Sequence, residues 1–194
     1  YMSCVSTIQT CRICASNNLK TVISLGEQYI TSRFPVYGDF TTPKTPIDLC
    51  VCKDCRLLQL LQTTFSSELY EYDYGYRSGI SNTMREHLKN YQLEILSIVN
   101  LQKGDTIVDI GSNDSTMLQY YSSDLKRIGV DPTGSQFKDF YGEVELIPTY
   151  FTRENFINVY GDIKCKMVSS ISMFYDLPDP VQFAKDIASI LEDD

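Results

Sequence analysis

The sequence predicts an α/β fold in two parts: a small cysteine-rich N-terminal module and the first four strands of an open parallel sheet. Six of the seven cysteines lie within the first 55 residues, whereas short apolar strands alternate with helices from Gly104 onward. Such alternation indicates parallel strands with right-handed crossovers. We predict the cysteine module at residues 1–68, a tyrosine-rich segment and linking helix at 69–100, and an incomplete α/β domain at 101–194.

The acidic charge balance of the chain argues against nucleic acid as a binding partner. The chain has 25 acidic and 17 basic residues, for a net charge of -8. An acidic chain without a Lys/Arg cluster is poorly suited to gripping a phosphate backbone. No apolar run approaches the roughly 20 residues of a membrane span, and no signal segment opens the chain. We expect a cytoplasmic protein, monomeric, that binds neither nucleic acid nor membrane.

Two cysteine pairs have the C-x-x-C spacing. In each pair, two thiolates can turn toward one ion, and two such knuckles complete the closed tetrahedral site that is typical of structural zinc. This site would stabilise a module too small to have much apolar core. The alternatives are buried free thiols or redox-active pairs. The predicted ligands are Cys11, Cys14, Cys52 and Cys55.

Three further cysteines are predicted not to bind the metal. Cys50 competes with Cys52, but only Cys52 has the two-residue spacing to Cys55. Cys4 and Cys165 lie outside both pairs. A closed site has no position for a substrate, so the module by itself does not identify a reaction.

Apolar periodicity and turn residues predict the order of the other elements. An alternating strand at 47–52 is followed by an antiparallel return at 57–61. A helix begins near Ser81, with Thr83 and Glu86 at capping-box spacing. Its predicted buried face consists of Met84, Leu88, Tyr91, Ile95 and Val99. The sheet strands are predicted at 106–110, 127–130, 144–147 and 166–174, with helices at 117–125 and after Asp179.

The loop after the first sheet strand has the properties of a ligand site. In Asp109-Ile-Gly-Ser-Asn-Asp114, Gly111 allows a tight turn, and Asp131 ends the next strand. Ligands of open α/β sheets bind at the carboxyl ends of the strands. A single glycine does not make a dinucleotide loop, and Asp109 and Asp114 would repel a pyrophosphate. They suit a ligand with an amino group and a sulfonium, such as S-adenosylmethionine. The alternative is a plain strand-turn-helix corner.

A tyrosine-rich stretch precedes the linking helix. Tyr70, Tyr72, Tyr74 and Tyr76 alternate and would share one side of an extended segment. They predict either a lid over the cofactor, with a hydroxyl near the reacting centre, or an aromatic strand packed on a core. The only histidine, His87, falls within the helix and is interpreted as a surface or interdomain residue.

Several motifs in order carry a resemblance to a known family. They are Cys11-Arg-Ile-Cys14, Leu49-Cys-Val-Cys-Lys-Asp-Cys-Arg-Leu-Leu-Gln-Leu60, Tyr76-Arg-Ser-Gly79, Thr83-Met-Arg85, Asp109-Ile-Gly-Ser-Asn-Asp114, Gly129-Val-Asp-Pro132 and Ser170-Ile-Ser-Met-Phe-Tyr-Asp-Leu-Pro-Asp-Pro180. With these motifs the chain resembles the sugar-nucleotide C-methyltransferases, including the dTDP-sugar 3-C-methyltransferases. The resemblance implies a zinc-binding domain and a class I methyltransferase sheet of Rossmann-like type. It further implies a C-terminal domain that helps to bind the sugar nucleotide.

The resemblance also implies a reaction and a set of site residues. A proton leaves the carbon beside a sugar ketone, and the enolate attacks the methyl group of S-adenosylmethionine with inversion. Tyr76 is expected beside the methyl group, where it supports the chemistry. Together with Asp109 of the loop, the expected cofactor contacts are Tyr76, Ser78, Gly111, Asn113, Asp114, Asp131, Phe151, Ser170 and Phe174.

The sequence departs from the family pattern in two places. The loop reads G-S-N-D-S, so Ser115 stands where the family has glycine. If that position has positive φ, a serine strains it and weakens cofactor binding. The family's general base lies in a Tyr/His/Glu/His-rich segment that has no counterpart here. We therefore expect a fragment that does not catalyse alone.

Two other classes of function remain open. One is a methyltransferase for oxygen or nitrogen of another small molecule, which would share the loop but would not need the Tyr76-Arg-Ser-Gly79 motif. The other is a non-catalytic zinc module that mediates assembly and does not bind S-adenosylmethionine.

Overall fold

The computed structural model describes residues 5–30, 37–38, 42–64, 70 and 74–193. The chain divides into two compact units, which are described separately. The first unit comprises Tyr1–Gly75 with Pro178–Val181, and the second comprises Tyr76–Leu177 with Gln182–Asp194. Within the described ranges, no helix has the length and apolar character that a membrane crossing requires.

The first unit consists of short antiparallel sheets. Its strands are β1 (Val5–Thr7), β2 (Leu19–Tyr29), β3 (Lys44–Cys52), β4 (Leu58–Leu60) and β5 (Gln62–Thr64). β1 pairs with β5, while β2, β3 and β4 form a three-stranded sheet. The predicted alternating strand and its antiparallel return are confirmed as β3 and β4. β2 is longer than the short strands predicted, and two register shifts interrupt its pairing with β3.

The first unit has little apolar core in its described part. The buried hydrophobic side chains there are those of Cys11, Ile30, Cys50 and Cys52. Three of these four are cysteines, so burial of apolar surface contributes little free energy to this unit. A module of this kind depends on a cross-link or a metal ion for its stability.

The second unit contains a four-stranded parallel sheet, as predicted. Its strands are β6 (Thr106–Ile110), β7 (Lys126–Val130), β8 (Glu145–Ile147) and β9 (Met167–Ser170). The strands lie in the order β8-β7-β6-β9, and all three pairings are parallel. The register places Asp109 beside Gly129 and Ser169. The carboxyl ends of β6, β7 and β9 therefore meet at one edge.

Apolar side chains cover both faces of this sheet. One cluster joins the sheet to two helices and contains Val108, Ile110, Ile128, Val130, Ile147, Phe156, Cys165, Phe183 and Ile190. The other contains Leu88, Ile107, Met117, Leu118, Tyr121, Tyr141, Val144 and Met167. Because side chains alternate along a strand, Ile107 and Val108 fall in different clusters. The result is a layer of sheet between two layers of helices and turns.

The helices agree with the prediction in part. α1 (Asn82–Ile98) begins as predicted, but its N-cap is Ser81, whose Oγ accepts a bond from the N–H of Met84 at 3.4 Å. The predicted capping box of Thr83 and Glu86 is therefore wrong. Met84, Leu88 and Ile95 pack on the second cluster as predicted. Gln92 is buried, and Tyr91 is exposed.

Three other helical segments test the sequence interpretation. α2 (Arg153–Tyr160) was not predicted, and the Thr152 hydroxyl caps it by accepting from the N–H of Asn155. α3 (Pro180–Ile190) was predicted. The predicted helix at 117–125 shortens to a 3₁₀ turn, Leu118–Tyr120, because the serines and aspartate that follow favour local turns over helix.

Candidate functional site

The four predicted zinc ligands come together in the first unit. The Sγ atoms of Cys11, Cys14, Cys52 and Cys55 all lie within 4.8 Å of one another. The Cys11–Cys55 and Cys14–Cys52 pairs are each separated by 3.6 Å between Sγ atoms. A tetrahedron with Zn–S bonds of about 2.3 Å has edges of about 3.8 Å, so these spacings fit one zinc ion. Cys50 is buried and lies outside the group, as predicted.

The two knuckles share one backbone geometry. The N–H of Ala15 donates to the Cys11 carbonyl at 2.9 Å, and the N–H of Arg56 donates to the Cys52 carbonyl at 3.0 Å. Ala15 and Arg56 both have positive φ, 58° and 68°. Each chain segment thus reverses immediately after its second cysteine. This turn directs both thiols of a pair toward the same point.

The thiols in this cluster do not ionise independently. Burial raises the pKa of Cys11, but hydrogen bonds from the N–H groups of Cys14 and Ile13 and from the side chains of Gln59 and Cys55 together lower it to about 6. The N–H of Leu57 lowers the pKa of Cys55, but burial and the neighbouring thiols raise it to about 12. Four thiolates this close repel one another unless a cation lies between them. A divalent ion supplies that charge and keeps thiol ligands deprotonated.

Polar groups around the cluster fix the position of the first knuckle. Gln59 Nε2 donates to Cys11 Sγ at 3.3 Å, as expected of a residue that orients a metal ligand. Arg12 donates from Nη1 to the Leu60 carbonyl at 2.6 Å and from Nη2 to Thr63 Oγ1 at 2.6 Å. The guanidinium thereby ties the knuckle to β4 and β5. Sequence reasoning did not find this role of Arg12, because no local pattern marks it.

The predicted cofactor loop lies at the carboxyl edge of the parallel sheet in the second unit. Gly111 follows β6 with φ of 78°, and a Cβ there would lie 3.0 Å from Met173 Cγ. Asp131, at the end of β7, accepts a bond from the N–H of Asn113 at 2.8 Å. Its other oxygen accepts from the N–H and hydroxyl of Thr133, both at 2.6 Å. The loop and the end of β7 are thus joined directly.

Three carboxylates of this edge are buried. The exposed fractions of Asp109, Asp114 and Asp131 are 4%, 2% and 6%. Burial raises the pKa of Asp109 to about 7, against the effect of the Ser169 hydroxyl, which donates at 2.7 Å, and the charge of Asp131 raises it further. Asp114 has Arg77 as an ion-pair partner at 3.8 Å. The edge therefore holds more negative than positive charge.

The segment that carries Tyr76 lies against this loop. Asn113 Nδ2 donates to the Tyr76 carbonyl at 3.0 Å, and Asn113 Oδ1 accepts from the N–H of Ser78 at 2.8 Å. Asp114 Oδ2 accepts from the N–H of Gly79 at 2.9 Å. The Tyr76 side chain itself is 46% exposed. The structure therefore brings together Tyr76, Ser78, Asn113 and Asp114 through backbone contacts.

The aromatic residues expected at the cofactor contact one another through α3, although they follow β8 and β9, the two outer strands of the sheet. Phe151 and Phe174 both contact the ring of Phe183 edge-on, with centroid separations of 5.7 and 5.5 Å. Ser170, the last residue of β9, donates from Oγ to Met173 Sδ at 2.8 Å. Met173 is also the residue nearest to a Cβ at Gly111. The Met173 side chain therefore lies next to both Ser170 and Gly111 of the loop.

The tyrosine stretch is only partly described. The rings of Tyr70 and Tyr74 make an edge-on contact with centroids 5.5 Å apart. Tyr72 lies outside the described residues, as does Cys4. The lid therefore stays a prediction. His87 is exposed, in agreement with its interpretation as a surface residue.

Two further residues shape the loop. Ser115 is buried with φ of 62°, which confirms the left-handed conformation suspected from its glycine counterpart. Tyr141 donates to the Asn113 carbonyl at 2.8 Å, and its hydroxyl lies 2.9 Å from Ser112 Oγ. Burial raises the pKa of the Tyr141 phenol, which therefore stays neutral and can donate. A lone tyrosine in a turn gave no signal of this role.

The comparisons cover different parts of the chain. Residues 11–70 match the Methyltransf_13 family model, which is described as "Putative zinc binding domain". No curated protein matches the sequence.

Several solved structures are similar to part of this chain. The YcgJ protein from Bacillus subtilis is 15% identical, with a TM-score of 0.42, over 56% of this chain and 47% of that one. The plantazolicin methyltransferase BpumL, solved with a pentazolic analogue and SAH, is 16% identical with a TM-score of 0.38, over 56% and 41%. YjhP from E. coli is 14% identical with a TM-score of 0.37, over 63% and 49%. This chain spans about half the length of these proteins or less.

Proposed function

We propose that this chain is part of an S-adenosylmethionine-dependent C-methyltransferase that acts on a nucleotide-linked keto sugar. One observation carries the cofactor assignment: the buried carboxylates of Asp109, Asp114 and Asp131 surround a single-glycine turn at the carboxyl ends of parallel strands. Ligands bind at this edge in open α/β sheets. The edge selects against anions and favours a cation.

The charges of the site discriminate between candidate nucleotides. A pyrophosphate needs N–H donors and cations, whereas the N–H of Asn113 already donates to Asp131 and the nearby Arg77 pairs with Asp114. S-Adenosylmethionine carries an ammonium and a sulfonium. Burial, and to a lesser extent the charge of Asp131, raise the pKa of Asp109, and these positive charges would favour its ionised form.

The remaining parts of the cofactor have matching surroundings. A carboxylate offers about four acceptor positions, and Asp131 uses three of them for Asn113 and Thr133, so a ribose hydroxyl can still donate to it. Phe151 and Phe174 supply aromatic surface for an adenine ring. Gly111 allows close approach, since its positive φ and its contact with Met173 leave no room for a side chain.

The substrate class rests on the motif resemblance. When bound, the cofactor would supply an electrophilic methyl group to the carbon beside the sugar ketone. Tyr76 is held at the loop with its side chain 46% exposed, so its hydroxyl is available to a substrate. The match of residues 11–70 to a zinc-binding family with a methyltransferase name supports the same family.

The zinc module has a structural part in this proposal. All four ligands are protein thiols, so the bound ion would have no open position for substrate. Cys11, Cys14, Cys52 and Cys55 would hold the module together, and chemistry would take place at the other unit.

Calorimetric titration with S-adenosylhomocysteine tests the cofactor assignment. We expect one binding site per chain and at least about tenfold weaker binding for Asp131→Asn, which loses a charged acceptor. Gln182→Ala, on the exposed side of α3, is the matched control and should bind as the wild type does. NAD⁺ should give no binding heat. Binding of NAD⁺ but not S-adenosylhomocysteine would contradict the proposal, and binding of neither would favour the assembly module.

A further inference from the structure

The side chains of Asn113 and Asp114 both form hydrogen bonds to the backbone of another segment. Together they make three hydrogen bonds to the segment Tyr76–Gly79: to the Tyr76 carbonyl, the Ser78 N–H and the Gly79 N–H, at 3.0, 2.8 and 2.9 Å. We call this set of bonds the clasp. It joins a segment to a loop 35 or more positions away.

Asparagine has the functional groups that the clasp requires at position 113. Its amide donates to a carbonyl and accepts from an N–H, so a single orientation of the amide satisfies both bonds. An aspartate would keep the acceptor for Ser78 but place a carboxylate oxygen against the Tyr76 carbonyl. An alanine would remove both bonds and leave two backbone groups without their partner.

The loop side of the clasp is held on both sides of Asn113. Its N–H donates to Asp131, and its carbonyl accepts from the Tyr141 hydroxyl, both at 2.8 Å. Asn113 has φ of 52°, a left-handed conformation that asparagine tolerates better than most residues. A ligand that forms a hydrogen bond to Asp131 would therefore contact the same carboxylate that holds the backbone of Asn113.

The segment side of the clasp is closely packed. A Cβ at Gly79 would lie 2.6 Å from Asp114 Oδ2 and 2.8 Å from Thr116 Oγ1, so only glycine permits this approach. Arg77 places its guanidinium 4.0 Å from the centre of the Phe140 ring and 3.8 Å from Asp114. Arg85 donates to the Gly79 carbonyl at 2.7 Å. The segment is thus fixed at four consecutive residues.

We propose that Asn113 and Asp114 are positioning residues whose clasp couples closure of the Tyr76 segment to occupancy of the cofactor loop. This rests on the proposed function, since the coupled ligand is the cofactor. Coupling between two sites is reciprocal. A ligand that orders the loop strengthens the clasp, and loosening the clasp weakens the ligand.

Trypsin cleavage after Arg77 measures opening of the segment directly, because a protease cuts a folded chain only where it opens locally. We expect Asn113→Ala to speed cleavage at Arg77–Ser78 by about tenfold without ligand, for the loss of two hydrogen bonds. Asn113→Asp should also cleave faster than the wild type. Cleavage after Arg127, which is buried in β7, requires global unfolding and should stay much slower than cleavage after Arg77 in every variant. Asn155→Ala, which loses a similar bond to the Tyr150 carbonyl, is the control.

A second measurement reports on Tyr76 itself. The chain has no tryptophan, so Tyr76→Trp introduces a single fluorophore. In this background, Asn113→Ala should increase quenching of the tryptophan by acrylamide, while Asn155→Ala should not. A loss of general stability alone would also appear in Asn155→Ala, in both the cleavage and the fluorescence.

S-Adenosylhomocysteine separates this inference from the proposed function. It should slow cleavage at Arg77 in the wild type, and it should bind about tenfold more weakly to Asn113→Ala. If Asn113→Ala were cleaved at Arg77 and quenched by acrylamide to the same extent as the chain without this substitution, the clasp would be disproved. Faster cleavage with unchanged affinity would overturn the coupling. A wild-type chain that does not bind S-adenosylhomocysteine would overturn the proposed function, while cleavage without ligand would still decide the clasp.

Discussion

The carboxylate of Asp131 accepts the N–H of Asn113 at 2.8 Å, and this bond joins the ends of two neighbouring parallel strands. The acid that is expected to hold ribose therefore also sets the turn that follows β6. Tyr141 binds the carbonyl of the same residue, so the turn is restrained on both sides. These two bonds connect the loop to the end of β7 and to Tyr141.

The zinc content of two variants should distinguish the predicted ligand Cys52 from the neighbouring cysteine, Cys50. Cys52→Ser should lose the metal, because three thiolates and a hydroxyl make a poorer ligand set than four thiolates. Cys50→Val should retain one zinc per chain, since Cys50 is outside the cluster and valine is of similar size. Metal analysis of the two purified variants checks this, and loss of zinc from both would place Cys50 among the ligands.

Chelation should loosen the first unit more than the second. The first unit has few buried apolar side chains in its described part, whereas the second has two apolar clusters. A strong zinc chelator should therefore deprotect amides of β2 to β4 in hydrogen exchange and leave β6 and β7 protected. Equal loss of protection in both units would show that the metal does not act locally.

The pKa of Asp109 predicts a pH dependence of stability. Its folded value of about 7 lies above the ordinary value of 3.8, so the folded state holds more protons than the unfolded state between these pH values. The contribution of Asp109 to stability is therefore present in full below pH 3.8 and lost as the pH rises through about 7. Asp109→Asn should flatten this decline, as measured by urea unfolding between pH 5 and 8.

The control for Asp109→Asn is a carboxylate outside the site. Asp124→Asn, on the exposed side of the turn before β7, should keep the wild-type pH dependence. If Asp109→Asn and the wild type decline in parallel, another group is responsible. At pH 8 the asparagine variant should be the more stable protein but the weaker cofactor binder.

The left-handed conformation of Ser115 predicts which of two substitutions, glycine or alanine, gives the more stable protein. With φ of 62°, alanine keeps the left-handed strain and loses the hydroxyl bond to the Phe140 carbonyl, whereas glycine removes the strain. Ser115→Gly should be more stable than Ser115→Ala by about 1 kcal/mol in urea unfolding. In α1 the order should reverse at Ser97, because glycine is the poorer helix former. The same order at both sites would contradict the assignment of strain.

Local patterns predicted the cysteine cluster and the parallel sheet. The C-x-x-C pairs form a metal cluster because each knuckle is a short turn whose geometry depends on adjacent residues. The four strands were found because short, largely apolar stretches alternate with turn and helix signals along the chain. Gly111 was identified because a tight turn at a strand end requires it.

Contacts between distant residues were not predictable in the same way. The bonds of Arg12 to β4 and β5, and of Tyr141 to Asn113, join residues with no shared local pattern. α2 was missed because it has eight residues and a single fully buried side chain, Phe156, which is too little for a periodicity. Ser81 rather than Thr83 caps α1, because the preceding segment is anchored at Gly79 to the loop that follows β6.

The most direct measurement is the ¹H–¹⁵N spectrum of the chain titrated with S-adenosylhomocysteine. The account predicts saturable shifts of the amides of Gly111, Asn113 and Asp131, with smaller shifts at Ser78 and Gly79 through the clasp. Amides of the zinc module, such as those of Leu49 and Val51, should not move. Shifts that are absent, or that are confined to the zinc module, would contradict the proposal that this edge of the sheet binds the cofactor.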